Sequence, residues 1–191
     1  MARPNILERR QILARALDPF WRNGYEGTSL KQLEEATGLN PGSLYHHFSN
    51  KKDLFRHVLL YYIEEQLLTR LNHYRRNHPP LESLRLFFST SYRHDDIQDY
   101  RCGCLLVMAM TEGHRDTLSP LIREAVVKLE EGFANALAAA GKSKEHSRIL
   151  LDRYIALQLS GHLQGSRKKL DKYVARIFAA LPDQKSGAEL V

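Results

Sequence analysis

Hydrophobic residues recur along most of this chain with the spacing of amphipathic α-helices. Within Leu13–Phe20, apolar side chains fall at positions i, i+3, i+4 and i+7, which predicts a first helix that ends before Gly24. Pro19 is predicted to bend the last turns of that helix, because proline removes one backbone hydrogen bond. No stretch alternates between apolar and polar residues as a β-strand does. The pattern therefore predicts an all-α fold of about nine helices.

Two short helices joined by a tight turn follow the first helix. Apolar positions within Leu30–Ala36 predict the second helix, with Thr28 as its N-cap, and Gly38 supplies the turn. Asn40 is the predicted N-cap of the third helix, and Pro41 takes the first helical position, where its missing N–H costs nothing. This is the helix-turn-helix arrangement, whose second helix enters the major groove of DNA.

The remaining helices are predicted to be longer. Ser49-Asn50 caps a fourth helix that extends from about Lys51 to Arg76. Gly141 ends a strong amphipathic helix that begins near Leu121. The other predicted helices cover residues 81–94, 104–111, 144–164 and 166–181.

The third predicted helix combines small residues at its start with aromatic and polar residues at its end. Leu44 and Phe48 are expected to pack against the first two helices. Tyr45, His46 and His47 are then available to reach phosphates or base edges. The alternative is that Tyr45 packs and that both histidines are only solvated.

The overall composition permits an anionic partner without requiring one. The 191 residues carry a formal net charge of +6, and residues 1–56 hold nine Lys/Arg against six Asp/Glu. The start MARPNILERR lacks the apolar core of a secretory signal, and no apolar run approaches the ~20 residues of a membrane helix. Two cysteines are too few for a secreted disulfide framework. These features predict a cytoplasmic protein with no membrane partner.

The run from Gly24 to Phe55, GYEGTSLKQLEEATGLNPGSLYHHFSNKKDLF, closely resembles the DNA-binding segment of the tetracycline-repressor (TetR) family of bacterial regulators. The residues that match the family pattern are Thr28, Ser29, Leu30, Leu33, Gly38, Leu39, Gly42, Ser43, Leu44, Tyr45, Phe48, Lys51 and Leu54. Glu34 and Thr37 depart from it, since small alanines are usual at both positions. The resemblance covers the first third of the chain.

The resemblance implies a dimeric, ligand-responsive transcriptional repressor that binds a palindromic operator in double-stranded DNA. It implies a helix-turn-helix DNA-binding domain over residues 5–65 and a C-terminal ligand-binding and dimerisation domain over residues 66–191. The DNA-binding residues predicted are Thr28, Ser29, Asn40, Pro41, Gly42, Ser43, Tyr45, His46, His47 and Lys51.

The same resemblance implies a cavity for a small, mainly apolar effector of unknown identity. The candidate lining residues are Tyr62, Gln66, Phe88, Tyr92, Cys104, Met108 and Tyr154. Cys102 and Cys104 cannot complete a tetrahedral zinc site by themselves, and no metal or other cofactor is predicted. The preferred interpretation of Cys104 is a small buried hydrophobic residue, while electrophile sensing, as in some relatives, stays open.

Apolar positions on the last two predicted helices indicate a four-helix interface between two subunits. The candidate residues are Ile149, Leu150, Leu157, Gly161, Leu170, Tyr173, Val174, Ile177 and Phe178. An intramolecular core is the alternative for some of them. No catalytic motif is present, so we do not expect an enzyme. The alternative function is a helix-turn-helix protein controlled by a protein partner or by cysteine modification.

Overall fold

The computed structural model describes residues 6–92, 103–112, 118–164 and 166–181. Within these ranges the regular elements form nine continuous helical segments, which confirms the predicted all-α fold. The elements are α1 (Ile6–Gly27), α2 (Leu30–Thr37), α3 (Pro41–His47), α4 (Lys51–Tyr61), α5 (Thr69–Asn77), α6 (Pro80–Thr90), α7 (Leu105–Thr111), α8 (Ser119–Ala139), α9 (His146–Gln164) and α10 (Arg167–Ala179), with a π-helical segment, Tyr62–Leu68, joining α4 to α5.

The predicted fourth helix is continuous but not uniform. Tyr62–Leu68 is π-helical, so the prediction of one α-helix from Lys51 to Arg76 is wrong over these residues. Tyr62, Ile63 and Leu67 are nevertheless buried. Their apolar spacing is compatible with either helix type, and the hydrophobic pattern therefore could not reveal the π-helix.

The backbone of α1 breaks at Gly24. Gly24 has φ 72° and ψ −179°, a conformation that is essentially restricted to glycine, and helical turns continue beyond it to Gly27. The bend was predicted to arise from Pro19, but the residue with a non-helical backbone is Gly24, further along the helix. The Pro19 carbonyl accepts hydrogen bonds from the Asn23 carboxamide at 3.0 Å and from the Thr28 hydroxyl at 3.0 Å.

One compact unit comprises residues 1–67 and 104–124. Its described core is built from apolar side chains of α1 to α4 and of α7. Phe20 from α1 lies against Phe55 from α4, with ring centroids 4.9 Å apart, and Trp21 meets Tyr62 at 5.2 Å. Each of the two short helices buries one face, α2 through Leu33 and α3 through Leu44. The helix-turn-helix is thus held by the burial of one face of each helix.

A second compact unit comprises residues 68–103 and 125–191. Its core contains an aromatic cluster, in which Phe87 and Phe88 of α6 each lie 5.2 Å from Tyr154 of α9, centroid to centroid. α5 and α8 approach closely at Gly132, where a Cβ atom would lie 2.5 Å from Leu71 Cδ2. The functional boundary at residues 65 and 66 stays a prediction.

Five of the residues predicted for a dimer interface lie in the core of this second unit instead. They are Leu150, Leu157, Leu170, Val174 and Ile177, which are between 0% and 6% exposed. Their side chains are covered within one chain, and a contact between them and a partner subunit stays a prediction. Phe178 is half-buried against Phe88, with centroids 5.2 Å apart, and Tyr173 is also half-buried. Ile149 is 50% exposed. Gly161 lies within α9, but its burial is not among the features that the structure describes.

Candidate DNA interface

Helix α2 begins and ends with specific caps. Ser29, not Thr28, is its N-cap: Ser29 Oγ accepts from the Gln32 N–H at 3.2 Å, and Gln32 Oε1 accepts from the Ser29 N–H at 2.7 Å. This is a capping box, in which Gln32 takes the N3 position that is often a glutamate. Gly38 ends the helix in the left-handed conformation, with φ 73°, and its N–H donates to the Glu34 carbonyl at 2.8 Å. The tight turn therefore depends on a glycine.

Helix α3 begins as the sequence predicts. The Asn40 side chain accepts a hydrogen bond from the Ser43 N–H at 2.8 Å, and Pro41 occupies the first turn. Leu44 and Phe48 are each 1% exposed, so α3 buries a single apolar face. Because this face is fixed, the orientation of the opposite face is fixed as well.

The opposite face of α3 is open to solvent. Tyr45 is 42% exposed, Gly42 and His46 are exposed, and Ser43 is half-exposed. His47 is half-buried, and its Nδ1 atom is buried with no hydrogen-bond partner among the described residues. The structure thus brings an aromatic hydroxyl and an imidazole together on one exposed surface beside the capped start of the helix.

The start of α4 lies next along the chain. Asn50 Oδ1 accepts from the Asp53 N–H at 2.9 Å, and Asp53 Oδ2 accepts from the Ser49 N–H at 3.1 Å. The Asp53 amide is therefore already paired. Lys51 and Lys52 occupy the first turn beside this cap and are half-exposed. We call the exposed residues Ser29, Asn40, Gly42, Tyr45 and His46, with the half-exposed Ser43 and Lys51, the polar face.

Lys51 is held by an aromatic ring. Its Nζ atom lies 4.5 Å from the ring centroid of Tyr25, and Tyr25 itself packs 5.3 Å from Phe55. Burial raises the pKa of the Tyr25 phenol above its usual range, and the Glu26 carboxylate and the Tyr45 hydroxyl raise it further. Tyr25 is thus neutral at physiological pH and adds no negative charge to the polar face.

Thr28 departs from its predicted role. Its side chain is 1% exposed, and its hydroxyl donates to the carbonyls of Pro19 and Gly24 at 3.0 and 2.5 Å. The hydroxyl therefore bridges the break in α1 and is not presented to a phosphate. Ser29 is the exposed hydroxyl residue at the start of α2.

Arg9 and His57 form a contact that the sequence analysis missed. The Arg9 guanidinium lies 5.0 Å from the ring centroid of Phe48 and donates to His57 Nε2 at 3.0 Å. Since a guanidinium has no acceptor, Nε2 must be unprotonated, and Nδ1–H then donates to the Asp53 carbonyl at 2.8 Å. Arg9 therefore fixes α1 against the C-terminal end of α3 and against α4. A long spacing of 48 residues leaves no local sequence signal for such a pair.

Glu112, at the C-terminal end of α7, makes a second contact that the local sequence does not reveal. Its Oε2 atom accepts a hydrogen bond from the Tyr25 N–H at 2.9 Å, immediately after the break in α1. A glutamate 87 residues away in sequence thus provides a carboxylate acceptor for the amide that follows the break.

The residues predicted to line an effector cavity belong to both compact units. In the first unit, the Tyr62 hydroxyl donates to the buried Cys104 Sγ at 3.3 Å, while Met108 and Gln66 are half-buried. In the second unit the Tyr92 hydroxyl donates to Asp171 at 2.8 Å. Phe88 and Tyr154 belong to the aromatic cluster described above. Cys102 lies outside the described residues, and an effector role for all of these residues stays a prediction.

Two further features are absent from the described residues. No helix there is long and apolar enough to span a membrane. Nor do those residues place three or more His, Cys, Asp or Glu side chains where they could hold a metal ion.

Residues 12–58 match the family model of bacterial regulatory proteins of the tetR family. A similar protein is the HTH-type transcriptional repressor ComR of Escherichia coli (strain K12), 48% identical over 62 residues. That stretch covers 32% of this chain but only 30% of ComR. The uncharacterised HTH-type transcriptional regulator YezE of Bacillus subtilis (strain 168) is 24% identical over 94% of this chain and 91% of its own length.

Solved structures resemble the chain along most of its length. One is the TetR family transcriptional regulator CifR, as a cysteine mutant complexed with 26bp double-strand operator DNA. It has a TM-score of 0.77 and 25% sequence identity, and the match covers 94% of this chain and all of that chain. The resemblance to the TetR family that the sequence predicts is confirmed, and these relatives are named as transcriptional regulators, not as enzymes.

Proposed function

We propose that this chain, whose residues 12–58 belong to the tetR family of bacterial regulatory proteins, is a transcriptional repressor that binds a palindromic operator as a homodimer. In this proposal α3 enters the major groove, and the start of α4 lies against the phosphate backbone. The cell compartment that fits this activity is the cytoplasm.

The observation that supports the proposal most directly is the polar face. Tyr45 and His46 project from a helix whose other side is buried through Leu44 and Phe48. A helix fixed in this way presents the same side chains to each half-site with little loss of conformational freedom. Gly42, at its start, lets the backbone approach the groove closely.

Two exposed apolar side chains on α9 support a homodimer. Ile149 is 50% exposed and Leu159 is 43% exposed, whereas most large apolar residues of the second unit are buried. In CifR, the bound operator duplex has 26 base pairs. Two symmetric half-sites one helical turn apart, about 10 base pairs centre to centre, fit within such a length.

The response to a small molecule is the second part of the proposal. The buried aromatic residues of the second unit, Phe87, Phe88, Phe133 and Tyr154, would give an apolar effector a compatible environment. An effector that binds better to a dimer with mismatched recognition helices would release the operator by a shift in population. Control by a protein partner is the alternative.

Selection of binding sites from random duplex DNA tests the proposed function. The full-length protein should enrich a palindrome whose half-sites are separated by about one helical turn. Fluorescence anisotropy with the enriched duplex should show an affinity that falls steeply as salt rises, because phosphate contacts release counterions. Enrichment of no sequence, or of a sequence without two-fold symmetry, would contradict the proposal.

A further inference from the structure

A cleft of about 330 Å³ lies within the second compact unit, at the end of α5, the start of α6 and the last turns of α8. None of the effector residues predicted from the sequence lines it. Its volume is at the lower end of the range for small-molecule sites, about 300–1,000 Å³, so a nucleotide-sized ligand would not fit well.

The cleft is positively charged. Arg75 and Arg76 of α5 both line it, and no carboxylate is among the described residues that do so. Arg75 donates a long hydrogen bond of 3.4 Å to the Asn72 carboxamide oxygen, and within the described part of the chain neither arginine forms a salt bridge. Both guanidinium charges attract an anion that enters the cleft, and no carboxylate in its described lining opposes them.

The start of α6 adds to this positive potential. Pro80 lies in the wall of the cleft at the first turn of α6, and Pro79 provides no side-chain cap. The nearby Glu82 accepts hydrogen bonds from Arg85 at 2.7 and 2.7 Å. Glu82 and Arg85 together carry no net charge, and neither lines the cleft, so the positive end of the helix dipole adds to the attraction of an anion there.

The remaining walls supply neutral hydrogen-bonding groups and a small apolar surface. Asn72 and Asn135 provide carboxamides, while Ala136 and Ala139 provide methyl groups. Small side chains on α8 leave the space that longer residues would fill. A ligand with one anionic end and a short carbon skeleton matches this arrangement.

We propose that this cleft binds a small oxyanion, in which a carboxylate or phosphate group pairs with Arg75 and Arg76. Guanidinium groups recognise both oxyanions through paired N–H donors, and this shared geometry is the basis of the assignment. The lining of the cleft shares no residue with the proposed DNA interface or with the predicted effector residues. It is therefore testable whether or not the chain binds DNA.

Isothermal titration of the full-length protein with inorganic phosphate and with succinate, at constant ionic strength set by sodium chloride, tests the proposal. The wild type should bind at least one of them saturably. The variant Arg75→Gln/Arg76→Gln should bind that probe at least tenfold more weakly. The matched control Lys168→Gln/Lys169→Gln removes the same charge from the exposed surface of α10 and should bind like the wild type.

A second variant separates shape from charge. Ala139→Phe keeps every charge but fills the cleft, so it should also lose binding, while thermal unfolding verifies that each variant is folded. Saturation by phosphate alone or by succinate alone identifies which oxyanion the site prefers. The proposal is overturned if neither probe saturates the wild type, or if the α10 control loses binding as much as the Arg75/Arg76 variant does.

Discussion

The carboxylate of Glu112 accepts a hydrogen bond from the backbone N–H of Tyr25 at 2.9 Å. Gly24, the residue before Tyr25, has φ 72°, and a Cβ atom added there would lie 2.0 Å from Glu112 Oε1. The break in α1 and the end of α7 therefore fit each other in two ways. The glutamate accepts a hydrogen bond from the amide that follows the break, and the glycine leaves room for the glutamate.

Glu112→Ala is expected to destabilise the protein by about 1–3 kcal/mol, because it leaves a partly buried amide without its charged acceptor. Chemical denaturation followed by circular dichroism measures this change. Glu131→Ala, at an exposed position of α8, should change the free energy of unfolding by less than about 0.5 kcal/mol. Equal effects of the two substitutions would contradict the proposed role of Glu112.

Gly24→Ala is expected to lower the free energy of unfolding by more than a positive φ alone explains. Gly141 also has a positive φ, 67°, but no atom within 4 Å of its virtual Cβ, so Gly141→Ala measures the cost of a positive φ without a clash, about 1–2 kcal/mol. The ψ of Gly24, −179°, makes its conformation less favourable for alanine than a positive φ alone does. Gly24→Ala adds the clash with Glu112. In the Glu112→Ala background the extra cost should decrease, and a double-mutant cycle measures this coupling. Additive effects of the two substitutions would show that they do not interact.

The two contacts also show how far the sequence could predict this region. The caps at Asn40 and Asn50 were predictable, because each involves residues within three positions of one another. The partner of Tyr25 lies 87 residues away, and no local pattern connects the two positions. The N-cap of α2 was misassigned for a related reason. Thr28 and Ser29 have similar capping preferences, and only the packing around the break in α1 selects Ser29.

The sequence also does not show which apolar residues are buried within one chain. Helical periodicity identified the apolar faces of α9 and α10, but it cannot tell whether such a face meets its own chain or a second one. The structure assigns Leu150 and Leu157 to the core of one chain and leaves Ile149 and Leu159 exposed. The helix-turn-helix was easier to predict, since it lies within a short contiguous segment with a characteristic pattern.

Cys104→Ala is expected to leave operator affinity unchanged while lowering stability by about 1 kcal/mol. Cys104 is 1% exposed and accepts a hydrogen bond from Tyr62, so its structural role is packing and pairing. Anisotropy with operator DNA and thermal unfolding measure the two effects separately. If an electrophile releases the wild type from DNA and not Cys104→Ala, a sensing role replaces the structural one.

Lys51→Gln is expected to weaken binding to all DNA sequences and to reduce the slope of log affinity against log salt by about one for each lost phosphate contact. The change follows from the position of Lys51 in the first turn of α4, beside the polar face. Lys168→Gln on α10 carries the same loss of charge outside the proposed interface. A salt slope that falls equally in both variants would indicate a general charge effect and would argue against a contact by Lys51.

Tyr25→Leu tests whether the ring beneath Lys51 positions it for DNA. The Lys51 ammonium lies 4.5 Å from the ring centroid, a contact that restricts a flexible four-carbon side chain before DNA arrives. Without the ring, Lys51 keeps its charge but must lose more side-chain entropy on binding. We therefore expect an affinity loss of roughly two- to tenfold, equivalent to about 0.4–1.4 kcal/mol, with an unchanged salt slope.

Tyr25→Phe separates the ring from the hydroxyl. It keeps the aromatic face, so it should bind DNA within about twofold of the wild type. Tyr25 also packs against Phe55, and the stability of each variant must therefore be measured at the temperature of the binding assay. Tyr25→Leu keeps the charge of Lys51, whereas Lys51→Gln removes it. If Lys51 contacts a phosphate and the ring only positions it, the salt slope should change in Lys51→Gln and not in Tyr25→Leu. A reduced slope in Tyr25→Leu would mean that the phosphate contact itself is lost, and wild-type affinity in that variant would mean that the ring has no positioning role.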